Sequence, residues 1–209
     1  MRSERRPAVL GLALLLAGAA PAGLAEELLI ERVLAAVNET PVLLSDVRLL
    51  AELRSLDEKA ALDAAIDERL MFQEAVRLSQ TSIGAAEEQA AYDSLKARVQ
   101  RVRALPAPPA PGAAAQPATN LSEPGLRRLA RVEATILRYV EFRFRPQVRV
   151  ADDAVRAAYE QEVQGQVTPP ALEDRAPVLR ARLEQQALDQ RLEAWIRELR
   201  ASGDVRLVE

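Results

Sequence analysis

Leu192-Glu193-Ala194-Trp195-Ile196-Arg197-Glu198-Leu199-Arg200-Ala201-Ser202-Gly203-Asp204-Val205-Arg206-Leu207-Val208 changes its apolar period part-way along. From Leu192 to Leu199 the apolar residues recur at helical spacing, whereas from Asp204 to Val208 they alternate like a strand. Gly203 separates the two patterns and reads as the residue just past a helix C-terminus, held left-handed. Upstream, Leu179, Leu183 and Leu188 extend the stripe, which predicts a helix from about Leu172, or from Pro177 as its first residue, to Ser202, with Trp195 as a core anchor. A short strand after a helix needs a partner for its backbone N–H and C=O groups. The matching stretch lies near the other end. Leu29 to Val37 is apolar and rich in Val, Leu and Ile, Asn38-Glu39-Thr40-Pro41 is a turn signal, and Val42-Leu43-Leu44 resumes the apolar run. The economical arrangement pairs this hairpin with the strand at Asp204–Val208 and makes the helices between them the body of one folded unit. The predicted class is mainly α, a multi-helix domain with a small sheet joining an N-terminal hairpin to a C-terminal strand.

The intervening helices follow from the same reading. Ser45 is placed to cap a helix carrying Leu49, Leu50, Leu53 and Leu56, with Asp46 in its first turn. A second helix is predicted from about Asp57 to Ser79. Its stripe is Leu62, Ile66, Leu70, Gln73 and Val76, and Glu58, Asp63, Asp67, Glu68 and Arg69 fall largely on the opposite, solvated side. A third, weakly striped helix runs from about Ala85 to Arg103 through Tyr92, Leu95, Val99 and Val102. Ser122 can cap a fourth, with Pro124 in its first turn. Its stripe is Leu126, Leu129, Glu133, Ile136, Val140 and Phe144, and Pro146 ends it. Asp152 or Asp153 opens a fifth helix carrying Val155, Ala158, Tyr159 and Val163.

Two segments stand apart from this body. Arg2, Arg5 and Arg6 precede an apolar run from Ala8 to Ala20, then Pro21 and the small residues around Ala25. That is the three-part pattern of a secretory signal peptide. The run of about 13 residues falls short of the ~20 a spanning helix needs. Residues 1–25 are therefore read as a leader cleaved after Ala25, residues 26–209 as a single exported domain, and no stable membrane span is expected after cleavage. Between residues 105 and 120, Pro106, Pro108, Pro109, Pro111 and Pro117 sit among Ala and Gly, the composition of a flexible loop insertion.

Composition narrows the chemistry. The 209 residues include no His and no Cys, so imidazole- and thiol-based catalysis and ordinary zinc sites are excluded. A net charge of −3 offers no polyanion-binding signature, and with aromatics at 3% a base-stacking platform is not expected. Asp152-Asp153 and Glu87-Glu88 sit at helix starts, where capping explains them, and Asp63 and Asp67 lack a third ligand. No catalytic residue, metal, cofactor, nucleic acid or small-molecule substrate is assigned.

Several stretches carry a family resemblance. Glu31-Arg32-Val33-Leu34-Ala35-Ala36-Val37-Asn38 followed by Ser45-Asp46-Val47 resembles the opening of mature SurA-type periplasmic chaperones. Ile66-Asp67-Glu68-Arg69-Leu70-Met71-Phe72-Gln73-Glu74-Ala75 resembles that family's "I-x-E-R-L-I-x-Q-x-A" helix. Ile83-Gly84-Ala85-Ala86-Glu87-Glu88, Val148-Arg149-Val150-Ala151-Asp152-Asp153 and the closing 192–207 segment are similar to further family pieces in the same order. Each motif is weak alone; their order, the leader and the terminal strands make the case. The resemblance implies a SurA-N-like fold and an ATP-independent holdase of the periplasm, binding unfolded or nascent exported and outer-membrane protein segments. Family members insert parvulin-type prolyl isomerase domains before the closing helix. Such a unit needs on the order of 90 residues, and only about twenty separate Asp152 from Leu172. The resemblance therefore implies the chaperone scaffold without the isomerase, and no enzyme activity.

For a holdase the working parts are apolar surfaces. Met71 and Phe72 flank the second helix's stripe and are candidates for a peptide groove, with ordinary core residence the stronger reading. Tyr139, Phe142 and Phe144 form the densest aromatic cluster, and at this spacing they cannot all face one way, so one is expected at the surface. The alternative function, on the same scaffold, is a structural or assembly subunit of the cell envelope that binds one folded partner.

Overall fold

The computed structural model describes residues 31–104 and 123–208. The leader with its Ala25 cleavage site, the proline-rich loop at 105–120 and the Ser122 cap all lie outside these residues. The described chain is mainly helical with one three-stranded antiparallel sheet. In order it forms β1 (Val33–Val37), β2 (Thr40–Leu43), α1 (Leu44–Arg54), α2 (Glu58–Ala75), α3 (Ala85–Ala104), α4 (Glu123–Arg143), α5 (Asp152–Val163), α6 (Leu172–Ser202) and β3 (Val205–Leu207).

The sheet order is β2-β1-β3, so the strand that follows α6 pairs with the strand that opens the domain. The turn between β1 and β2 is tighter than the four-residue signal suggests. Asn38 and Glu39 alone form it, with φ of 46° and 67°, the left-handed pair that a two-residue hairpin turn requires. Thr40 and Pro41 belong to β2. Pro41 pairs with Ala36, one step beyond the Val37–Thr40 pair that closes the turn, so its missing N–H would have pointed away from β1. A proline is accommodated at an edge strand in that orientation. Ala35, Val37 and Val42 share the inner face and are almost wholly buried, packing with Val47, Leu50, Ile66 and Leu70 of α1 and α2.

Asn38 joins three elements. Its Nδ2 donates to Gln73 Oε1 of α2 at 2.8 Å, while its Oδ1 accepts from the Asp204 amide at 2.8 Å. Gln73 Nε2 in turn donates to the Val37 carbonyl and to Thr40 Oγ1, both at 3.0 Å. Gln73 thus occupies its place on the α2 stripe as a polar staple on the hairpin. Gly203 completes the junction for a reason other than the predicted left-handed geometry. Its φ is −85°, but a Cβ there would lie 2.7 Å from Leu70 Cδ2 and 3.0 Å from the Leu199 carbonyl oxygen. The glycine lets α6 approach α2 here without displacing the Leu70 side chain.

Other local expectations are corrected. Helix α1 begins at Leu44 with Leu43 at the cap position and no side-chain cap, so Ser45 lies inside the first turn beside Asp46. Its backbone N–H finds Glu31 Oε1 at 3.1 Å instead. Helix α2 stops at Ala75, a turn earlier than predicted, because Thr81 Oγ1 folds back on the Ala75 and Leu78 carbonyls; Val76 is consequently exposed. The Asp57 side chain caps α2 through the Ala60 amide at 2.8 Å. Helix α6 starts at Leu172 and carries Pro177 within its exposed surface. Helix α5 packs along the first half of α6 through Val155 and Leu179, both buried, reinforced by Arg180 donating to the Val150 carbonyl at 3.0 Å.

The Asn38 junction generates a test. Asn38→Ala and Gln73→Ala should each lower stability by about 1–2 kcal/mol. Both break one network, so the double variant should fall short of the sum by more than about 0.5 kcal/mol. Urea midpoints of the four-member cycle measure this, and strict additivity would show that the relay is not cooperative. Because Glu39 sits at a positive φ, Glu39→Gly should add up to about 1 kcal/mol of stability, read as a higher urea midpoint.

Candidate binding groove

Helices α2, α4 and α6 do not close completely on one another. Between them lies an open groove of about 490 Å³. Its apolar lining comes from Met71 of α2, Ile136, Leu137 and Val140 of α4, and Leu188, Leu192 and Ile196 of α6. The helical periods explain the convergence. Ile136 and Val140 are one turn apart on α4, and Leu188, Leu192 and Ile196 are successive turns of α6. Leu137 is 60% exposed at the groove's rim, a large aliphatic residue set among the exposed Arg138, Glu141 and Phe142.

Charged residues form one end of the groove. Glu68 retains only 7% of its accessible surface, which overturns its placement on a solvated face. It accepts a hydrogen bond from Arg54 of α1, whose guanidinium also lies 4.0 Å from Glu133 of α4. Arg98 of α3 donates to both oxygens of Glu133, at 2.7 and 2.8 Å. Burial raises the Glu68 pKa above its ordinary 4.5; the Arg54 charge opposes that rise and the neighbouring Glu133 adds to it. Arg69, also assigned to solvent, is turned inward near Asp46, with its pKa lowered by burial. Asp46 meanwhile accepts from Arg128 of α4 at 3.0 Å. Asp63 and Asp67, the carboxylates of the exposed α2 side, are engaged by Arg200, whose Nη2 also donates to the Asp63 carbonyl at 3.0 Å. These pairs tie α2 directly to α1 and α6, and through Arg54 and Asp46 of α1 to α4.

The five sequence-predicted binding residues do not gather in one place. Met71 lines the groove and packs against the core beside it. Phe72, the next residue of α2, is half-buried and outside the groove lining. Tyr139 is buried and stacks on Trp195, with ring centroids 4.9 Å apart and planes at 11°. Phe144 meets the same indole at 5.1 Å and Tyr139 at 6.0 Å. This trio is a packed aromatic cluster in which Trp195 serves as a core anchor between α4 and α6; burial raises the Tyr139 pKa. Phe142 is the exposed member, at 52%, on a shallow face between α3 and α4 that Leu137 also borders. The groove residues that reasoning from the sequence left unassigned, Leu137 above all, had no aromatic signature. The signal for the charged end was Glu133, a carboxylate on an otherwise apolar stripe. Among the described residues no cluster of three or more acidic side chains could hold a metal, and no helix is long and apolar enough to cross a membrane.

Compared with models of known protein families and with curated proteins, the chain gives no match.

The buried carboxylate carries a pH prediction. A raised folded-state pKa means that the folded chain holds the Glu68 proton more tightly than the unfolded chain. Its effect on stability is most favourable below 4.5 and is lost as pH rises through the folded value. Arg54→Met removes the opposing charge and widens that window. The variant should lose about 2–3 kcal/mol at pH 7 and progressively less as pH falls toward 4.5. Adding Glu68→Gln should restore most of the loss at pH 7. Urea unfolding across this range checks it; a pH-independent loss in Arg54→Met would mean that packing of the arginine stem, not charge, is what was removed.

Proposed function

We propose that this chain is an ATP-independent holdase of the periplasm, SurA-like in scaffold and without prolyl isomerase activity, that shields unfolded exported and outer-membrane protein segments. The observation that carries the reading is the open apolar groove between α2, α4 and α6, with Leu137 exposed at its rim. Segments destined for a membrane β-barrel present apolar residues at every second position and aggregate unless covered. Each methylene that such a segment buries contributes about 0.8 kcal/mol. A groove admitting a few side chains therefore gives weak, reversible, sequence-tolerant binding with no need of a nucleotide. The ring of Arg54, Glu133, Glu141 and Arg145 around it lets polar residues of the same segment remain solvated.

Two further features support the reading. The leader-like N-terminal sequence fits an exported protein. Asn38 and Gln73 stand in separate stretches that resemble the family, and they meet in one hydrogen-bonded junction.

The test is aggregation of a urea-unfolded β-barrel protein on dilution into nucleotide-free buffer. The chain should suppress light scattering at modest molar excess, and Leu137→Glu should reduce suppression several-fold while leaving the unfolding midpoint within experimental spread. Absence of suppression by the unmodified chain at large excess would sink the proposal. Recovery of one folded partner at fixed stoichiometry would favour the assembly-subunit reading instead.

A further inference from the structure

The two edges of the sheet are not equivalent. On β2, Pro41 faces outward next to the turn and has no N–H to offer, so an added strand would lose a ladder bond there. On β3 the orientation follows from the ladder. The Asn38 amide donates to the Asp204 carbonyl at 2.8 Å, and the Val208 amide donates to the Leu34 carbonyl at 2.9 Å. Arg206 pairs with Ala36 midway between them. Backbone groups alternate sides along a strand, so residues 204, 206 and 208 face β1. The N–H and C=O groups of Val205 and Leu207 point away from the sheet. Their side chains lie on the same face as Val37 and Ala35, their register partners. Yet Val205 is 37% exposed and Leu207 67%, because α2 packs across β1 and β2. Arg206 and Asp204 stand on the opposite face, paired at 2.8 Å.

We infer that the β3 edge is a second binding surface, which takes an extended polypeptide as an added antiparallel strand. Four ladder bonds, at Val205 and Leu207, fix its backbone. The incoming residues opposite Val205 and Leu207 fall on the apolar face, the one opposite Arg206 on the charged face, and the one opposite Asp204 beside it. The edge therefore selects the order apolar–acidic–apolar–basic, read from the incoming N-terminus. A second copy of this chain is a poor occupant. The antiparallel self-pairing that engages all four groups sets Val205 against Leu207 of the second copy, and so places Arg206 directly opposite its own counterpart, a repulsive pair. The choice of an unfolded client as the source of the strand rests on the holdase reading; the geometry of the edge does not.

The probe is a capped, monomeric peptide with a central Val-Glu-Val-Arg sequence, titrated against the full chain by fluorescence anisotropy. Val205→Pro and Leu207→Pro each remove an outward donor and leave the bonds to β1 in place. Each should weaken binding at least fivefold with little change in melting temperature, whereas Arg206→Pro should also destabilise the fold. A peptide with Glu and Arg exchanged should bind several-fold more weakly at low salt, with the difference fading at high salt. On binding, hydrogen exchange at the Val205 and Leu207 amides should slow. Equal affinity for both peptides together with unchanged exchange at these amides would overturn the inference, and so would a concentration-dependent dimer that Leu207→Pro dissolves. The second peptide and the exchange measurement still decide the matter if a proline variant fails to fold. Peptide binding at β3 without suppression of aggregation would leave the edge intact and remove the holdase reading. Suppression that is lost in Leu137→Glu but unaltered in both proline variants, with no peptide binding, would do the reverse.

Discussion

The carboxamide of Asn38 is the interaction on which the rest of the fold depends. One side chain, held at a left-handed backbone position, donates to α2 and accepts from Asp204, the residue just before β3. Without the acceptor, the Asp204 amide at the exit of α6 would lack this fixed partner. Without the donor, Gln73 would lose one of the contacts that orient it toward the hairpin. A short sheet is marginal by itself and needs a helix packed on it. Here the packing partner α2 is aligned by hydrogen bonds as well as by Ile66 and Leu70, and Gly203 permits the close approach that brings α6 to the same corner. The register of β3 follows, and with it the set of backbone groups that β3 presents outward.

Helix α2 organises the groove by a different kind of force. It sends Met71 to the apolar wall and Glu68 to the charged end. Glu68 is an expensive residue to bury, and the partners that offset that cost come from another helix, α1, with the Arg98–Glu133 pair between α3 and α4 beside it. A buried ion network of this kind is weak evidence for added stability. What it does supply here is angular definition. Hydrophobic contacts alone let helices slide by a turn, whereas a guanidinium between two carboxylates fixes their positions. A groove that stays open between packed helices needs such definition, because the apolar walls by themselves would gain by closing.

Much of the architecture was legible in the sequence, for reasons that particular residues make plain. The change of period at Gly203 located the end of α6 and the start of β3, and the apolar stretch before Asn38 identified the partner strand. These are signals of burial pattern, which a single chain displays directly. The failures concern residues whose role depends on something far away in the sequence. Glu68 and Arg69 look solvated on a helical projection, and only the arrival of Arg54 and Asp46 from α1 makes their burial tolerable. Ser45 has the chemistry of a cap, but the strand runs directly into the helix and leaves the cap position to Leu43. Gly203 marks a true boundary, but its φ of −85° is not left-handed, and what its bare Cα spares is contact with the Leu70 side chain and the Leu199 carbonyl. Aromatic density marks Tyr139 and Phe144, and the fold packs both against Trp195.

Exposure, more than residue type, separates surface that is available from surface already used. Tyr139 and Trp195 have the chemistry of a peptide platform but have satisfied each other. Leu137, Val205 and Leu207 are ordinary aliphatics that the fold leaves uncovered at two different places. The two places offer complementary kinds of attachment. The groove can hold apolar side chains without regard to backbone direction, and the β3 edge can hold backbone without demanding large side chains. An unfolded segment of a β-barrel protein carries both features at once, alternating apolar side chains on a backbone with an unsatisfied ladder. Natural sheets usually blunt an exposed edge with a proline or a charge. This sheet has done so on β2, where Pro41 faces outward, while on β3 the charges of Asp204 and Arg206 lie on one face and leave Val205 and Leu207 open on the other. Of the two edges, β3 is therefore the one at which a strand from another chain would meet both free backbone groups and uncovered aliphatic side chains.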